Sequence, residues 1–377
     1  MATQRILDFI ATRRPAGPCL VVDLDIVEDN FRAFRKALPD SSIFYAVKAN
    51  PAPEILRLLA SLGSSFDCAS VAEIEMALDA GATPNRISFG NTIKKERDVA
   101  AAHALGVSLF AVDCVEEVEK VARAAPGARV FCRVLTDGEG AEWPLSRKFG
   151  CVPAMAIDVL THARDLGLVA TGVSFHVGSQ QCDTEAWDKA LADAAMVFGQ
   201  LAERGIVLTL VNMGGGFPTR YLKDVPSAQA YGRSIFAALR RHFGNQIPET
   251  IIEPGRGMVG DAGVIKAEVV LVSKKSVEDK NRWVYLDIGK FGGLAETMDE
   301  AIRYPIVTAR DDDRMEPCVI AGPTCDSADV LYEKTPYPLP ISLTVGDEVL
   351  IEGTGAYTTT YSAVAFNGFE PLRSYVI

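Results

Sequence analysis

The first two-thirds of the chain alternates short apolar runs with longer segments in which apolar residues recur at helical spacing. In Glu54–Leu62, for example, Ile55, Leu59 and Leu62 fall on one face of a helix. Apolar runs without polar alternation are typical of strands buried on both faces, as in a parallel sheet. The predicted strands are Ile43–Lys48, Ser65–Ser70, Arg86–Asn91, Leu109–Asp113, Arg129–Leu135, Val173–Ser179, Leu208–Gly214 and Thr250–Glu253.

Helical segments separate these strands. They are Glu54–Leu62, Val71–Ala80, Lys94–Leu105, Glu116–Ala124, Ala154–Leu166, Thr184–Arg204 and Ala228–Phe243. Such alternation predicts parallel strands joined by crossover helices, and eight units of this kind fit an α/β fold of the (β/α)₈ TIM-barrel type, which typically takes about 250 residues. A doubly wound sheet is the alternative, but it normally opens with a glycine-rich first turn, whereas Ala49-Asn-Pro follows the first strand here.

The pattern changes after residue 263, where strands outnumber helices and Gly, Pro and Asp lie between them. Strands are predicted at Val264–Val272, Arg282–Ile288, Pro317–Ala321, Pro340–Leu343 and Glu348–Glu352, and a helix at Leu294–Arg303. We therefore expect a barrel domain over residues 24–262 and a β-rich domain over residues 1–23 and 263–377. The strand-like Cys19–Asp23 could pair within either domain.

Composition and charge narrow the class of protein. Of the 377 residues, 48% are hydrophobic and 23% charged, which is typical of a globular protein. A net charge of −11 argues against nucleic-acid binding by phosphate neutralisation, and no apolar run is long enough for a membrane span. There is no secretory h-region, so we expect a cytoplasmic protein. The eight cysteines form no C-x-x-C pair, so neither a disulfide framework nor a metal site is expected.

Chemically active side chains stand where the predicted strands end. In a barrel of this kind, the carboxyl ends of the strands meet at one mouth and carry the active site. Those ends supply Lys48, Asp67, Asn91, Asp113, Arg133, His176, Gly214–Gly216, and Glu253 with Arg256. Strand ends without a function would supply mostly turn residues, so this convergence predicts an active site.

Together these residues favour a phosphorylated aromatic aldehyde as cofactor. A lysine such as Lys48 can form a Schiff base, and a glycine turn with Arg256 can bind a phosphate. His176 could stack on an aromatic ring, and Ser179 could reach the phosphate. A buried Glu253 is costly unless it pairs with a protonated ring nitrogen. These properties describe pyridoxal 5′-phosphate, in which an acid on the pyridine nitrogen strengthens the electron sink.

Seven ordered motifs carry a resemblance that covers nearly the whole chain. They are Ala46–Asn50 (AVKAN), Phe66–Ser70 (FDCAS), Phe175–Ser179 (FHVGS), Gly214–Phe217 (GGGF), Glu253–Arg256 (EPGR), Gly322–Asp326 (GPTCD) and Gly355–Tyr357 (GAY). With them the sequence resembles the ornithine decarboxylase branch of the barrel-type (fold III) pyridoxal-phosphate decarboxylases. The resemblance implies an alanine-racemase-like barrel followed by a C-terminal all-β domain, and a homodimer with shared active sites.

The resemblance also implies a role for individual residues. Lys48 would carry the cofactor, Glu253 would bind its pyridine nitrogen, and His176 would stack on its ring. The other cofactor-binding positions it implies are Asp67, Arg133, Ser179, Gly214, Gly215, Gly216, Gly255, Arg256 and Tyr357. The partner subunit would supply Cys325, which protonates the α-carbon, and Asp326, which binds the distal amine of the substrate.

Four further positions follow from the same resemblance. Lys148 and Asp329 match residues that pair across the dimer interface of the family. A second acid for the distal amine is placed at Asp299, before Glu300-Ala301 and six residues before Pro305, where the family carries such an acid. Glu296 is the alternative, because the segment Asp287–Thr297 lacks the Tyr-Gly-Ser-Phe of animal enzymes and is similar to bacterial ones.

The function expected from these residues is decarboxylation of L-ornithine to putrescine and carbon dioxide. A lysine or dual lysine/ornithine decarboxylase is the nearest alternative, because one methylene changes binding by only about 1–3 kcal/mol. A diaminopimelate decarboxylase is disfavoured because that enzyme normally has Cys-Glu-Ser where this chain has Cys325-Asp-Ser. A racemase sets a weaker partner than glutamate on the pyridine nitrogen. A non-catalytic homologue that only binds another protein is the alternative from a different class.

Overall fold

The computed structural model describes residues 2–143, 147–310 and 314–377. The chain divides into two compact units. We call Glu28–Pro218 with Val225–Met258 the barrel unit, and Met1–Val27 with Thr219–Asp224 and Val259–Ile377 the sheet unit. Within the described ranges, no helix is both long and apolar enough to cross a membrane.

The barrel unit contains a closed barrel of eight parallel strands among its described residues, which confirms the predicted fold class. Each strand pairs with the next along the chain, and the eighth pairs with the first. The strands are, in order, Ser41–Ala46, Ser65–Cys68, Ile87–Phe89, Leu109–Val112, Arg129–Arg133, Val169–Ser174, Leu210–Asn212 and Glu249–Ile252. We number them one to eight.

Helices follow the barrel strands much as the periodicity predicts. They are Pro53–Ser61, Val71–Asp79, Glu96–Ala104, Val115–Ala124, Pro153–Asp165, Ala186–Glu203, Ala228–Phe243 and the short Arg256–Val259. Caps fix where some of them begin, since the hydroxyls of Ser70 and Ser227 accept the backbone N–H groups of Glu73 and Ala230. Two further helices, Gln4–Arg13 and Leu24–Ala37, have no counterpart among the predicted elements.

The sixth strand differs most from its prediction. It runs over Val169–Ser174, whereas Val173–Ser179 is predicted, because the chain leaves the sheet before His176 and turns at Gly178, which has φ 104°. Within the strand, a Cβ on Gly172 would lie 1.9 Å from the Leu210 carbonyl oxygen, so only glycine permits this approach to the seventh strand. The shift places His176 in a loop above the barrel.

The barrel interior is filled by apolar side chains. One buried cluster joins Phe44, Leu109, Ala111, Phe131, Leu210 and Ile251, which come from five different strands. Interlocking layers of this kind make the barrel a packed core rather than a pore. Truncating a buried residue such as Phe131 to alanine typically costs about 3–5 kcal/mol.

The sheet unit is built on a mixed sheet of eight strands among the described residues, as the fold prediction requires. Its strands are Cys19–Val22, Gly263–Ser273, Arg282–Leu286, Ile306–Thr308, Met315–Ala321, Val330–Pro340, Glu348–Glu352 and Arg373–Val376. The strand-like Cys19–Val22 belongs here, where it pairs antiparallel with Gly263–Ser273 and parallel with Arg373–Val376.

Two predicted elements of the sheet unit are wrong in detail. The strand predicted at Pro340–Leu343 is instead the end of Val330–Pro340, whose prolines hid the strand pattern because proline cannot donate to a ladder. The helix predicted at Leu294–Arg303 shortens to a 3₁₀ segment, Ala295–Glu300, broken where Asp299 adopts φ 53°. Short 3₁₀ helices elsewhere are Val47–Ala49, Pro84–Arg86, Gly260–Ala262 and Phe366–Gly368.

Candidate active site

Lys48 faces an aspartate at the mouth of the barrel. It lies just past the end of the first strand, in the 3₁₀ turn Val47–Ala49, and its Nζ is 3.8 Å from Oδ2 of Asp67 on the second strand. The Lys48 side chain is 51% exposed, whereas that of Asp67 is only 7% exposed. The amine is therefore accessible to a ligand while its partner carboxylate is held inside the protein.

Burial dominates the electrostatics of Asp67. It raises the pKa of this carboxyl, and the positive charges of Lys48 and Arg133 and a hydrogen bond from Ser88 oppose it. Gly90 leaves the space that the carboxylate occupies, since a Cβ there would lie 1.8 Å from Oδ1 of Asp67. Glu73 is a second acid nearby: it accepts the Ala69 N–H at 2.6 Å, and burial raises its pKa.

His176 is held as a neutral ring. Its Nδ1 accepts the Gly178 N–H at 3.0 Å, so any ring proton sits on Nε2. Thr136 anchors the same segment by donating its hydroxyl to the His176 carbonyl at 2.6 Å. Burial, then the positive charges of Arg133 and Lys48, lower the pKa of His176 to about 3. The ring is uncharged at neutral pH.

The glycine turn after the seventh strand is tightly enclosed. Gly214 and Gly216 have φ 64° and 103°, and a Cβ on them would lie 2.1 and 2.4 Å from the Phe175 and Gly178 carbonyl oxygens. A Cβ on Gly215 would lie 2.6 Å from the Glu253 carbonyl oxygen and 3.3 Å from Nε2 of His176. All three positions therefore require glycine.

A buried arginine lies at the same end of the barrel. Arg256 follows Gly255 at the start of a short helix and is 3% exposed. Its Nε and Nη2 donate to the Ser179 hydroxyl at 3.3 and 3.2 Å. Guanidinium, hydroxyl and the backbone of a glycine turn are the groups that bind phosphate.

Glu253 directly follows the eighth strand and is a partly buried acid with one specific partner. The Nδ2 of Asn212 donates to its Oε1 at 2.5 Å. Burial, and next the negative charge of Asp67, raise the pKa of Glu253 to about 7, against the opposing effects of Asn212, Lys48 and Arg133. A carboxyl near half-protonation at neutral pH can share a proton with a basic nitrogen.

Arg133, at the end of the fifth strand, links these groups electrostatically. Its charge acts on Asp67, His176 and Glu253, and burial lowers its own pKa. The guanidinium also lies 5.4 Å from the centre of the Phe149 ring. The barrel unit thus brings Lys48, Asp67, Arg133, His176 and Glu253 to one site, with Ser179, Gly214–Gly216 and Arg256 at the same end.

Apart from Lys148, the remaining predicted site residues lie in the sheet unit. Cys325 and Asp326 occupy the hairpin loop between Met315–Ala321 and Val330–Pro340. Cys325 is exposed, its N–H donates to Oδ1 of Asn367 at 3.1 Å, and its Sγ is 3.5 Å from the same oxygen. Oδ1 of Asp326 accepts the Ala328 N–H at 2.8 Å, which shapes the loop.

Asp329 clamps this loop from inside. It is 2% exposed, and its carboxylate accepts the Lys290 N–H at 2.8 Å and the Thr324 N–H and hydroxyl at 3.1 and 2.7 Å. Lys148, in the barrel unit, lies 4.8 Å from the centre of the Phe149 ring. Pairing of Lys148 with Asp329 across a dimer interface stays a prediction.

The two candidate acids of the 3₁₀ segment have opposite environments. The Asp299 side chain is 91% exposed and pairs with Nζ of Lys334 at 3.0 Å. This hydrogen bond lowers the pKa of Asp299. Glu296 is instead buried, at 4% exposure. Tyr357 is partly buried and adopts φ 58°, the left-handed conformation.

Sequence reasoning missed two residues of the barrel site, Glu73 and Asn212. Glu73 was hidden because it also reads as a helix-capping acid three residues after Ser70. Asn212 precedes a glycine turn, where asparagine is common for conformational reasons alone. A polar residue ending an otherwise apolar strand was the available signal for Asn212, since such a residue must find buried partners.

The barrel site fits pyridoxal 5′-phosphate. An accessible amine suits the aldehyde, and the glycine turn with Ser179 and Arg256 suits the phosphate. Glu253, with its pKa near 7, suits the pyridine nitrogen. The close contact that a Cβ on Gly215 would make with His176 shows that the turn and the neutral ring stand next to each other. One compact ligand can therefore touch both.

Comparison with known proteins gives an independent result. Residues 24–260 match the family described as pyridoxal-dependent decarboxylase, pyridoxal binding domain. The lysine/ornithine decarboxylase of Selenomonas ruminantium is 38% identical over 372 residues, covering 97% of this chain and 91% of that protein. Antizyme inhibitor 2 of Xenopus laevis is 34% identical over 383 residues, covering 97% and 82%.

Solved structures agree with the sequence matches. The lysine/ornithine decarboxylase of Vibrio vulnificus, in complex with putrescine, superposes with a TM-score of 0.88 at 30% identity. The likeness covers 100% of this chain and 99% of that one. Both the barrel and the all-β architecture are therefore those of the fold III decarboxylases.

Proposed function

Since the chain belongs to the fold III family of pyridoxal-phosphate-dependent decarboxylases, we propose that it decarboxylates L-ornithine to putrescine and carbon dioxide. The observation that carries the catalytic part is the barrel site, which brings the accessible amine of Lys48 together with a His176 ring held neutral and a Glu253 carboxyl whose pKa is raised to about 7. The relatives named for lysine/ornithine decarboxylation support a substrate with a distal amine.

The barrel residues bind and orient the cofactor. Lys48 ties it to the chain through Nζ, while Ser179, Arg256 and the glycine turn hold the phosphate. His176 presents a neutral ring, which costs little to bury. Glu253 would share a proton with the ring nitrogen of the cofactor. When bound, the cofactor supplies the electron sink that accepts the electron pair left by the departing carboxylate.

The sheet unit completes the chemistry in this proposal. After carbon dioxide leaves, the thiol of Cys325 of the partner subunit gives a proton to the α-carbon, so that the product is an amine. Asp326 of the partner subunit binds the distal ammonium, with Asp299 or Glu296 as the second acid. We propose residues 24–262 as the cofactor-binding domain, and residues 1–23 with 263–377 as the domain that completes the site in a homodimer.

A second candidate function has one observation in its favour. Antizyme inhibitor 2 is a relative along nearly the whole chain, so a protein-binding role without catalysis deserves a test. Lys48 beside Asp67 and the raised pKa of Glu253 favour catalysis, because a chain that only binds a partner has no need to hold an acid where its charged form is disfavoured. A purified protein that shows no absorbance of bound pyridoxal phosphate would favour the binding role.

The specificity is tested by kcat/KM for L-ornithine and L-lysine, measured as carbon dioxide release. We expect ornithine to be preferred, and Asp326→Asn to lower kcat/KM by at least about thirtyfold for both, because a buried ammonium loses its counter-charge. Asparagine can still accept the Ala328 N–H, so the loop keeps its shape. Glu333→Gln, at an exposed acid on the adjoining strand, is the matched control and should change little.

The outcomes separate the alternatives. Equal rates with ornithine and lysine would indicate a dual enzyme, and a lysine preference would contradict the ornithine assignment. Release from neither amino acid would also contradict it, and diaminopimelate would then be the next substrate to try.

A further inference from the structure

Asn212 uses both ends of its side-chain amide at the centre of the barrel site. It is the last residue of the seventh strand and is 1% exposed. Its Oδ1 accepts the Gly214 N–H at 3.0 Å, and its Nδ2 donates to Oε1 of Glu253 at 2.5 Å. One neutral group thus joins the glycine turn to the acid at the end of the eighth strand.

The orientation of this amide is determined by its neighbours. A backbone N–H can only donate, so the atom that faces Gly214 must be the oxygen. The nitrogen then points at Glu253, and it can only donate. Oε1 of Glu253 therefore accepts in both protonation states of the acid, and this contact favours a proton on Oε2, because the carbonyl oxygen is the better acceptor of the two.

The same contacts fix the glycine turn. The Glu253 N–H donates to the Gly214 carbonyl at 2.8 Å, so the backbones at the ends of the two strands are joined as well. Gly214 adopts φ 64° with its N–H held by Asn212. Removing the amide would release this N–H and the Glu253 carboxylate together, because they share one partner.

We propose that Asn212 is a positioning residue, which makes Oε2 the proton-bearing oxygen of Glu253 and couples that acid to the phosphate-binding turn. The inference rests on the cofactor site proposed above and adds a residue that touches neither the reacting atoms nor, in this proposal, the cofactor. It predicts that the affinity of the turn for a ligand and the affinity of Glu253 for a proton both depend on the amide of Asn212.

The first test follows the protonation of Glu253 without the cofactor. A raised pKa favours the neutral acid in the folded state, so the stability contributed by Glu253 falls as pH rises from about 4.5 to about 7. To isolate this fall, the free energy of unfolding is measured against pH with and without Glu253→Gln, and the difference is taken. The comparison is made once in the unmodified protein and once in Asn212→Leu. In Asn212→Leu the fall should continue to a higher pH, because a hydrogen bond to the carboxylate has been lost.

The second test measures ligand affinity. Pyridoxamine 5′-phosphate has no aldehyde, so its dissociation constant is independent of Lys48, and inorganic phosphate reports on the turn alone. Asn212→Leu should weaken the binding of pyridoxamine 5′-phosphate about tenfold and that of inorganic phosphate severalfold. Glu253→Gln should weaken only pyridoxamine 5′-phosphate, and its effect should not add to that of Asn212→Leu, because both remove the same interaction.

Thr171→Val is the matched control. Thr171 is a buried polar residue of the neighbouring sixth strand, whose hydroxyl donates to Val169. It should lower stability without moving the Glu253 titration or either affinity. If Asn212→Leu does not fold, Asn212→Ala is measured in the same way.

Three results would overturn the inference. They are an unchanged Glu253 titration, additive effects in the double variant, and unchanged phosphate affinity. Failure of the unmodified protein to bind pyridoxamine 5′-phosphate would instead overturn the assignment of the cofactor site itself.

Discussion

At the scale of single residues, the site holds two ionisable groups in their neutral form beside two basic side chains. His176 and Glu253 are both partly buried side chains, and burial acts on them in opposite ways, because it always disfavours the charged form. The pKa of the imidazole falls to about 3, and that of the carboxyl rises to about 7. Both groups are therefore available in their neutral form near neutral pH, close to the positive charges of Lys48 and Arg133.

The lowered pKa of His176 predicts how this residue affects the stability of the folded protein at acid pH. With its pKa lowered from 6.5 to about 3, it remains neutral when folded but takes up a proton when unfolded. The folded state is therefore destabilised as pH falls through 6.5 towards 3. We expect His176→Gln to gain about 3 kcal/mol relative to the unmodified apoprotein between pH 7 and pH 4.5, measured by denaturant unfolding.

His103→Gln is the control for this experiment, because His103 is exposed on the helix Glu96–Ala104. Its stability should follow that of the unmodified protein across the whole pH range. An identical pH dependence for His176→Gln and the unmodified protein would show that His176 is not held neutral.

The residues at the strand ends were predictable from the sequence, but the residues that contact and position them were not. Lys48, His176 and Glu253 stand out because ionisable groups at the ends of apolar strands must converge in a barrel. Asn212 and Glu73 act through specific contacts with Gly214, Glu253 and Ala69, and those contacts depend on how separate strands are placed. A single sequence does not contain that information.

At the scale of elements, the glycine turn after the seventh strand is held by a layer of aromatic side chains. The indole N–H of Trp187 donates to the Met213 carbonyl at 3.2 Å, and its ring stacks on Phe217 with 5.0 Å between centroids. Tyr231 packs against both rings. Rigid support of this kind keeps backbone N–H groups pointing at a ligand before it binds.

Alanine at Gly216 should damage the turn far more than a left-handed conformation alone explains. Gly216 has φ 103°, and its Cβ would lie 2.4 Å from the Gly178 carbonyl oxygen. We expect Gly216→Ala to weaken pyridoxal phosphate at least tenfold, because the turn must shift to remove the clash. Equilibrium dialysis against the cofactor measures this directly.

Gly244 offers a matched comparison. It also has positive φ, 62°, but a Cβ there would meet nothing within 4 Å. Gly244→Ala should cost about 1–3 kcal/mol of stability through backbone strain and leave cofactor affinity unchanged. Equal loss of affinity in the two variants would mean that backbone strain, rather than crowding at the turn, is responsible.

Element order and type followed from periodicity in the barrel but less well in the sheet unit. Each barrel strand pairs with the next in the chain, so local pattern and fold agree. In the sheet unit, Cys19–Val22 pairs with Arg373–Val376 from the other end of the chain. Val330–Pro340 is a strand that contains three prolines, which local propensity opposes and pairing with Met315–Ala321 overrides.

At the scale of the whole molecule, the proposed homodimer makes a quantitative prediction. Lys48 lies in the barrel unit and Cys325 in the sheet unit, and sites shared between subunits would take one from each chain. Lys48→Ala and Cys325→Ala should each be inactive, and mixing them should restore about a quarter of normal activity. Half of the dimers are then mixed, and each has one intact site of two.

The control is a mixture of Lys48→Ala and Glu253→Gln. Both substitutions lie in the barrel unit, so every site in a mixed dimer would keep one of the two defects and no activity should return. Absence of recovery in the Lys48→Ala and Cys325→Ala mixture, under conditions in which subunits exchange, would contradict shared sites.

The central proposal is that the barrel site of this chain decarboxylates L-ornithine, and one measurement tests it most directly. Purified protein with pyridoxal phosphate is given carboxyl-labelled L-ornithine; the labelled carbon dioxide is counted, and the unlabelled putrescine is quantified by chromatography of the same sample. We expect equimolar amounts of both from the unmodified protein and neither from Lys48→Ala. No release by the unmodified protein, or undiminished release by Lys48→Ala, would contradict it.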